Sequence, residues 1–439
     1  MPLQHAKMLI ILIFALIGWS MKILPQPIIS LLIIVLIPLF GVGTFSESLK
    51  GFGQPFVWLL VSAFVFAAAM EKTGIGKRVA YTLLLYAKGK PNRTISYLFL
   101  SLITLGFFIP TSAGRTATIL PIGIGIIETI EDKNKSINFA KHIMLGITFI
   151  SSFICWALLT GSNSSIYAVA AIENTIGYEW SYLYWFFCNF PIMIIIVFCF
   201  SVILKNLFPL DVNIIPNGTS FIKNELEVIG KMKNSEKRIL LLGIVTIFGW
   251  VTEPIHGVSI PLVALIVSIL TCIPKIGVHT WSEVSPRISW DTVILFAAGF
   301  AMADAFQRNQ TAAWLATKIT DLFPTMSPLE SALYIMLFVL FLRLGFAEML
   351  AITATILPIT INLAIIWGIN PLWLIQITII ACSFGYFFPF QTTSNLITYN
   401  YRYYSEKDLI NTGLLITPIV IFIVIICALF YWPLIGLSP

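Results

Sequence analysis

Apolar runs of helix length, separated by short polar breaks, fill almost the whole chain. Met8 to Ser20, Pro27 to Gly41 and Phe56 to Met70 read as the first three membrane spans, and Val79 to Tyr86 as a short, oblique fourth. Thr94 to Ile109 enters, Pro110 to Gly114 breaks the helix, and Arg115 to Ile127 comes back. Each arm is too short to cross comfortably, so the pair reads as a re-entrant helical hairpin. His142 to Leu159 is interrupted by Thr160-Gly161-Ser162-Asn163-Ser164-Ser165 and resumes as Ile166 to Ile172, a broken helix, before Trp180 to Leu204. After a polar stretch come Ile239 to Val251, Val258 to Ile273 and an Ala/Gly-rich helix after Asp291. Ser331 to Phe346 and Met349 to Ile366 make a second hairpin with Glu348 near its tip. Leu372 to Phe388 is broken at Pro389 to Asn395, and Asp408 to Tyr431 is the last span. The pattern predicts an all-α polytopic membrane protein of about eleven spans and two re-entrant hairpins.

Some of this pattern occurs twice. Thr116 to Ile122 (TATILPI) returns letter for letter at Thr353 to Ile359, 237 positions on. Phe56 to Ala80 matches Thr292 to Ala316 in layout at a shift of 236, and Thr160-Gly161-Ser162-Asn163 has a counterpart in Thr392-Thr393-Ser394-Asn395 at 232. Landmarks in the same order at nearly one offset indicate duplication. The expected organisation is a first helix (1–24), repeat 1 (25–205, hairpin 94–127, broken helix 142–172), a linker (206–238) and repeat 2 (239–439, hairpin 328–366, broken helix 372–400). Inverted repeats with interrupted helices are the layout of secondary transporters.

Composition agrees with the pattern: 58% of the 439 residues are hydrophobic and 10% are charged, against about 25% charged in soluble domains. Charge distribution sets the expected orientation. Lys88, Lys90 and Arg93, then Lys133, Lys135 and Lys141, then the lysines of the linker are basic, whereas Glu173 to Trp180 holds two acids and no Lys or Arg. With eleven spans this places the N-terminus and linker in the cytoplasm and the C-terminus outside, in a plasma membrane. Lys72, Lys77 and Arg78 are an exception, falling outside. Six cysteines lie in apolar runs, without a CxxC, and only four histidines exist, so neither a zinc site nor another cofactor is expected.

The polar breaks carry the candidate chemistry. A half-helix starting at membrane depth offers unpaired N–H groups and a positive dipole end to an anion. Thr111 and Ser112 suit an N-cap before the Arg115 arm. Arg115 at depth requires something negative, either substrate or the Glu348 carboxylate, while Arg343 is expected to snorkel to the interface. The candidate substrate residues are Thr111, Ser112, Gly114, Arg115, Thr116, Ser162, Asn163, Glu348, Thr353, Thr393, Ser394 and Asn395. A sodium ion is placed near Thr111, Ser112, Gly161 and Asn163.

The hairpins ending Leu120-Pro121-Ile122 and Leu357-Pro358-Ile359, the Ala/Gly helix before Glu71-Lys72-Thr73-Gly74 and the stretch Ile288-Ser289-Trp290-Asp291 resemble the divalent anion/sodium symporter family over nearly the whole chain. The resemblance implies two inverted repeats, a homodimeric elevator mechanism, sodium coupling, and a dicarboxylate, citrate or sulfate as substrate. Family tips carry Ser-Asn-Thr; here they read Thr111-Ser112-Ala113-Gly114-Arg115 and Ala347-Glu348-Met349-Leu350. An arginine at the first tip resembles the 2-oxoglutarate/malate translocator branch. The expected function is therefore secondary transport of a small anion, with Na+, H+ or a counter-anion as coupling partner and lipid as surroundings, and no role for nucleic acid. The alternatives are arsenite, gluconate or cation/proton exchange in related two-hairpin families. An integral membrane enzyme is disfavoured, because the chain has no HExxH, intramembrane Asp pair or clustered His.

Overall fold

A computed structural model describes residues 3–21, 24–130, 136–323, 325–346 and 348–439. Lys133, Lys135 and Ala347, which figure in the sequence reading, lie outside the described residues. Within them the chain is helical and contains no strand. Six helices are long and apolar enough to cross a bilayer, or seven if the bent pair Trp281–Arg287 and Trp290–Arg308 forms one span. Gln26–Leu39, Ile260–Cys272 and Pro371–Cys382 are apolar but shorter.

One order of elements occurs twice. Pro55–Thr73, Ile75–Leu84, Pro91–Gly106, Ser112–Glu128, the pair Ile137–Ala157 and Asn163–Ile176, and Tyr182–Leu207 form the first series. Trp290–Arg308, Thr311–Thr320, Pro328–Arg343, Met349–Trp367, the pair Pro371–Cys382 and Thr393–Tyr399, and Glu406–Ile426 form the second. The two arms of each helical hairpin pack on the first half of the broken helix that follows them. The second halves cross over: Asn163–Ile176 packs on Met349–Trp367, and Thr393–Tyr399 packs on Ser112–Glu128 and Ile137–Ala157. Hydroxyls fasten the crossing in the apolar interior. Thr116 Oγ1 donates to Ser394 Oγ at 2.9 Å, and Thr148 and Thr398 Oγ1 atoms lie 2.6 Å apart.

The repeated heptapeptide puts a proline inside each returning arm, Pro121 and Pro358. Each proline removes one helical hydrogen bond and tilts the helix around that point. The first arm starts where the sequence provides for it. The Thr111 hydroxyl accepts from the Gly114 N–H at 3.1 Å, giving the first arm the predicted cap.

The fourth span read from Val79–Tyr86 does not form. The helix there is Ile75–Leu84, ten residues, or about 15 Å at 1.5 Å per residue, half a hydrocarbon core. It is tied to the linker: Arg78 Nε donates to Glu236 Oε1 at 2.8 Å, Arg78 Nη1 to the Gly230 carbonyl at 2.9 Å, and Tyr81 to Glu225 at 3.2 Å. The Ile215 N–H reaches the Gly89 carbonyl at 3.0 Å. Lys77, Arg78, Lys88 and Lys90 therefore share one end of the molecule with the linker, and the expected exception to the charge pattern disappears. Lys72, ending the neighbouring helix, pairs with Glu283 at 2.8 Å at this same end.

Helix Trp290–Arg308 leaves the Glu283 end and finishes where Arg308 pairs with Glu47 and where His5 lies 3.1 Å from Thr311. His5 and the linker thus occupy opposite ends of this helix. The last helix runs from Asp408, paired with Lys141 at 2.9 Å, to Trp432, which donates to the Cys188 carbonyl at 2.8 Å. This places the C-terminal segment opposite the linker.

Candidate functional site

Both hairpin tips, the second helix break and the helix leading into the first break meet around a small cavity of about 60 Å³. Ser112 comes from the first hairpin, Ser152 and Cys155 from the helix before the first break, Arg343, Glu348 and Met349 from the second hairpin, and Ser383, Gln391, Thr392 and Thr393 from the second break. Of the residues expected at the site, Ser112, Glu348 and Thr393 line this cavity.

A second, larger cavity of about 550 Å³ lies on the other side of the first tip. Thr111, Gly114 and Thr118 line it with Glu71, Lys77 and Arg287, residues of the linker end. Consecutive residues of one cap, Thr111 and Ser112, therefore face different cavities. The first tip stands between a basic vestibule and the smaller central cavity.

Arg115 is fully buried, and its guanidinium sits among backbone oxygens. Nη1 donates to the carbonyls of Ile109 and Gly161, both at 2.8 Å, and Nη2 to the Ser151 carbonyl at 2.8 Å, with Cys155 Sγ at 3.4 Å. It fastens the first tip to both sides of the first break. The break depends on Gly161, because a Cβ there would collide with the carbonyls of Ile154 and Leu158. Ser162 caps the resumed helix, accepting from the Ser165 N–H at 3.2 Å while donating to the Cys155 carbonyl at 2.9 Å. Asn163 Oδ1 is buried without a hydrogen-bond partner among the described residues.

Arg343 does not snorkel. It is 1% exposed, because its acceptors lie inward: Nη2 donates to the Gln391 carbonyl at 2.6 Å and Nη1 to the Phe346 carbonyl. Gln391 closes the loop, donating from Nε2 to the Arg343 carbonyl at 3.0 Å and accepting through Oε1 from the N–H groups of Phe387 and Phe388. Gly385 leaves room for this arrangement; a Cβ there would lie 3.0 Å from Arg343 Nη2 and closer still to Thr392. Asn395 is equally committed. Its Nδ2 donates to the carbonyls of Gly385 and Phe388 at 2.8 and 3.0 Å, and its Oδ1 accepts from the Thr392 hydroxyl. Thr353, the repeat counterpart of Thr116, is buried and donates to the Met349 carbonyl at 2.9 Å.

Sequence reading missed Ser152, Cys155, Arg343, Ser383, Gln391 and Thr392 as cavity residues. Thr392 and Gln391 stood in the recognised second break, and Arg343 was visible as a charge in an apolar run. Ser152 and Cys155 gave no signal beyond the helical spacing that puts them one turn before the first break.

A family model described as the sodium:sulfate symporter transmembrane region matches residues 1–438. The sodium-dependent dicarboxylate transporter SdcS of Staphylococcus saprophyticus is 26% identical over 94% of this chain and 84% of its own length. Its Staphylococcus aureus namesake is 26% identical over 99% and 87%. A membrane protein of Cupriavidus necator is 24% identical over 98% of this chain and 88% of its own. Among solved structures, the YdaH transporter of Alcanivorax borkumensis matches with a TM-score of 0.56 at 13% identity, covering 92% of this chain and 90% of that one, which is a likeness of fold. Matched along almost its full length, the chain belongs to the sodium:sulfate symporter family of membrane transporters.

Proposed function

We propose that this protein carries a small divalent anion, a dicarboxylate such as succinate or malate or else citrate or sulfate, by an elevator-type alternating access. The observation that carries the reading is the central cavity, walled by both tips, the second break and the helix before the first, and holding one arginine and Glu348 among serine and threonine hydroxyls. The arginine and the hydroxyls offer charge-assisted and neutral donors to one anion. The first tip separates it from the basic vestibule, so moving the hairpin body relative to Pro55–Thr73 exchanges the face to which the centre opens. In this reading the hairpins are re-entrant and the linker is cytoplasmic. The vestibule then faces the cytoplasm, while His5 and the C-terminal segment face outward. Helix Leu3–Met21 precedes repeat 1, Gln26–Leu39 belongs to repeat 1 and Asn234–Val251 and Ile260–Cys272 belong to repeat 2, and the protein works as a homodimer.

The Staphylococcus relatives are named sodium-dependent, which brings sodium forward as coupling ion. The expected sodium residues do not fit it well here. The Gly161 carbonyl, with those of Ile109 and Ser151, already accepts from the Arg115 guanidinium, so a cation at this point meets a resident positive charge. That favours a second reading: an exchanger of anions without sodium at the first tip. Proteoliposome uptake of labelled succinate separates the two. Symport requires an inward sodium gradient, whereas exchange requires internal dicarboxylate and ignores sodium. Absence of uptake of every dianion tested under both conditions would overturn the transport reading.

A further inference from the structure

Which charge meets the substrate? Arg115 was the candidate from sequence, yet its terminal nitrogens are spent on three carbonyls behind the first tip. We propose that Arg343 is the cation that binds the anion, and that Glu348, on the wall of the same cavity, competes with the anion for this arginine and so lowers its affinity. The inference rests on the transport reading above and specifies its binding site.

Three observations converge on Arg343. It lines the central cavity, while Arg115 does not. It is 1% exposed, and its Nε, like that of Arg115, has no hydrogen-bond partner among the described residues, so of two buried arginines with a donor in hand it is the one that lines the cavity. Its position is fixed from both sides: the reciprocal bonds with Gln391 hold its backbone and guanidinium together, and Gly385 leaves the space it occupies. A buried guanidinium held at its outer nitrogens is pre-organised, and an anion arriving at its remaining edge does not have to order it. Ser112 and Thr393 stand on the same wall to supply hydroxyls for the rest of the anion.

Glu348 moderates the site. Its carboxylate shares the cavity with Arg343 and balances the arginine's charge. An arriving anion competes with that carboxylate for the arginine and is repelled by it. Affinity here is set by a built-in competitor as much as by an attraction.

The test uses proteoliposomes of the full chain with labelled succinate as substrate. Arg343→Gln should raise the KM for succinate by about tenfold or more, the usual consequence of removing one buried charged partner. Arg343→Lys should recover part of that KM, because charge remains while the fork is lost. Gln391→Ala, which loosens the support but keeps the cation, should lower the maximal rate more than it raises the KM. Glu348→Gln should lower the KM for succinate severalfold, because the anion no longer shares the arginine with a carboxylate, and this result does not depend on any arginine variant folding. An unchanged KM in a folded Arg343→Gln protein, or a KM that Glu348→Gln fails to lower, overturns the inference. Wild-type protein that takes up no dianion overturns the transport reading itself.

Discussion

Arg115 and Asn395 show how a residue can sit at a functional break and be needed for its shape. Arg115→Ala takes their guanidinium donor from the Ile109 and Gly161 carbonyls and one donor from the Ser151 carbonyl, and an unsatisfied buried group costs about 1–3 kcal/mol. The variant should lose uptake together with several degrees of thermal stability in detergent, and lysine should restore little, since one ammonium cannot span the three acceptors held by Nη1 and Nη2. A variant with full stability and no uptake would instead mean direct contact with substrate. The two break asparagines should behave differently, although the sequence pairs them. Asn395 makes three side-chain hydrogen bonds that hold the second break, so Asn395→Ala should lower the melting temperature. Asn163 keeps a buried oxygen without a partner among the described residues, so Asn163→Ala should cost little stability, and a loss of uptake there would point to a ligand. The caps were legible because a cap is local: Thr111 binds the N–H three residues on. The arginines were not, because the Gln391 carbonyl that holds Arg343 is 48 residues away and the Gly161 carbonyl that holds Arg115 is 46 away. Nothing in the neighbouring letters marks an acceptor at that distance.

At the scale of elements, the duplicated order of helices could be read from one heptapeptide and two looser matches, since the period of helical apolarity and the position of a proline survive divergence. The fate of Ile75–Leu84 could not. Val79 to Tyr86 is apolar enough to count as a span, and the ties to the linker through Arg78, Tyr81 and Gly89 show which end it belongs to. This has a direct consequence for labelling. In a background without the native cysteines, single cysteines at Lys77 and Lys231 should react with an impermeant thiol reagent from one side of the membrane, and one at Glu47 from the other. Reaction of positions 77 and 231 from opposite sides would restore the fourth span. The first break gives another prediction at this scale. Gly161→Ala drives a methyl into the Ile154 and Leu158 carbonyls, and the resulting shift should displace the Gly161 carbonyl from Arg115. Uptake should fall to background, with stability reduced as in Arg115→Ala.

Across the whole molecule, the two series of helices are exchanged rather than set side by side, with each resumed half-helix lying on elements of the other series. Neither series, made alone, can cover the faces that the other supplies. The segment between them is a different case: Asn213 and Ile214 are exposed, and the linker touches the body at its ends and along Gly218–Ile229. A chain opened at Asn213 therefore loses a covalent tie and almost no packing. Two fragments produced together should find each other in the membrane and recover uptake, while either fragment alone should be degraded. The crossing of half-helices makes the protein, in effect, an obligate heterodimer whose subunits share one polypeptide.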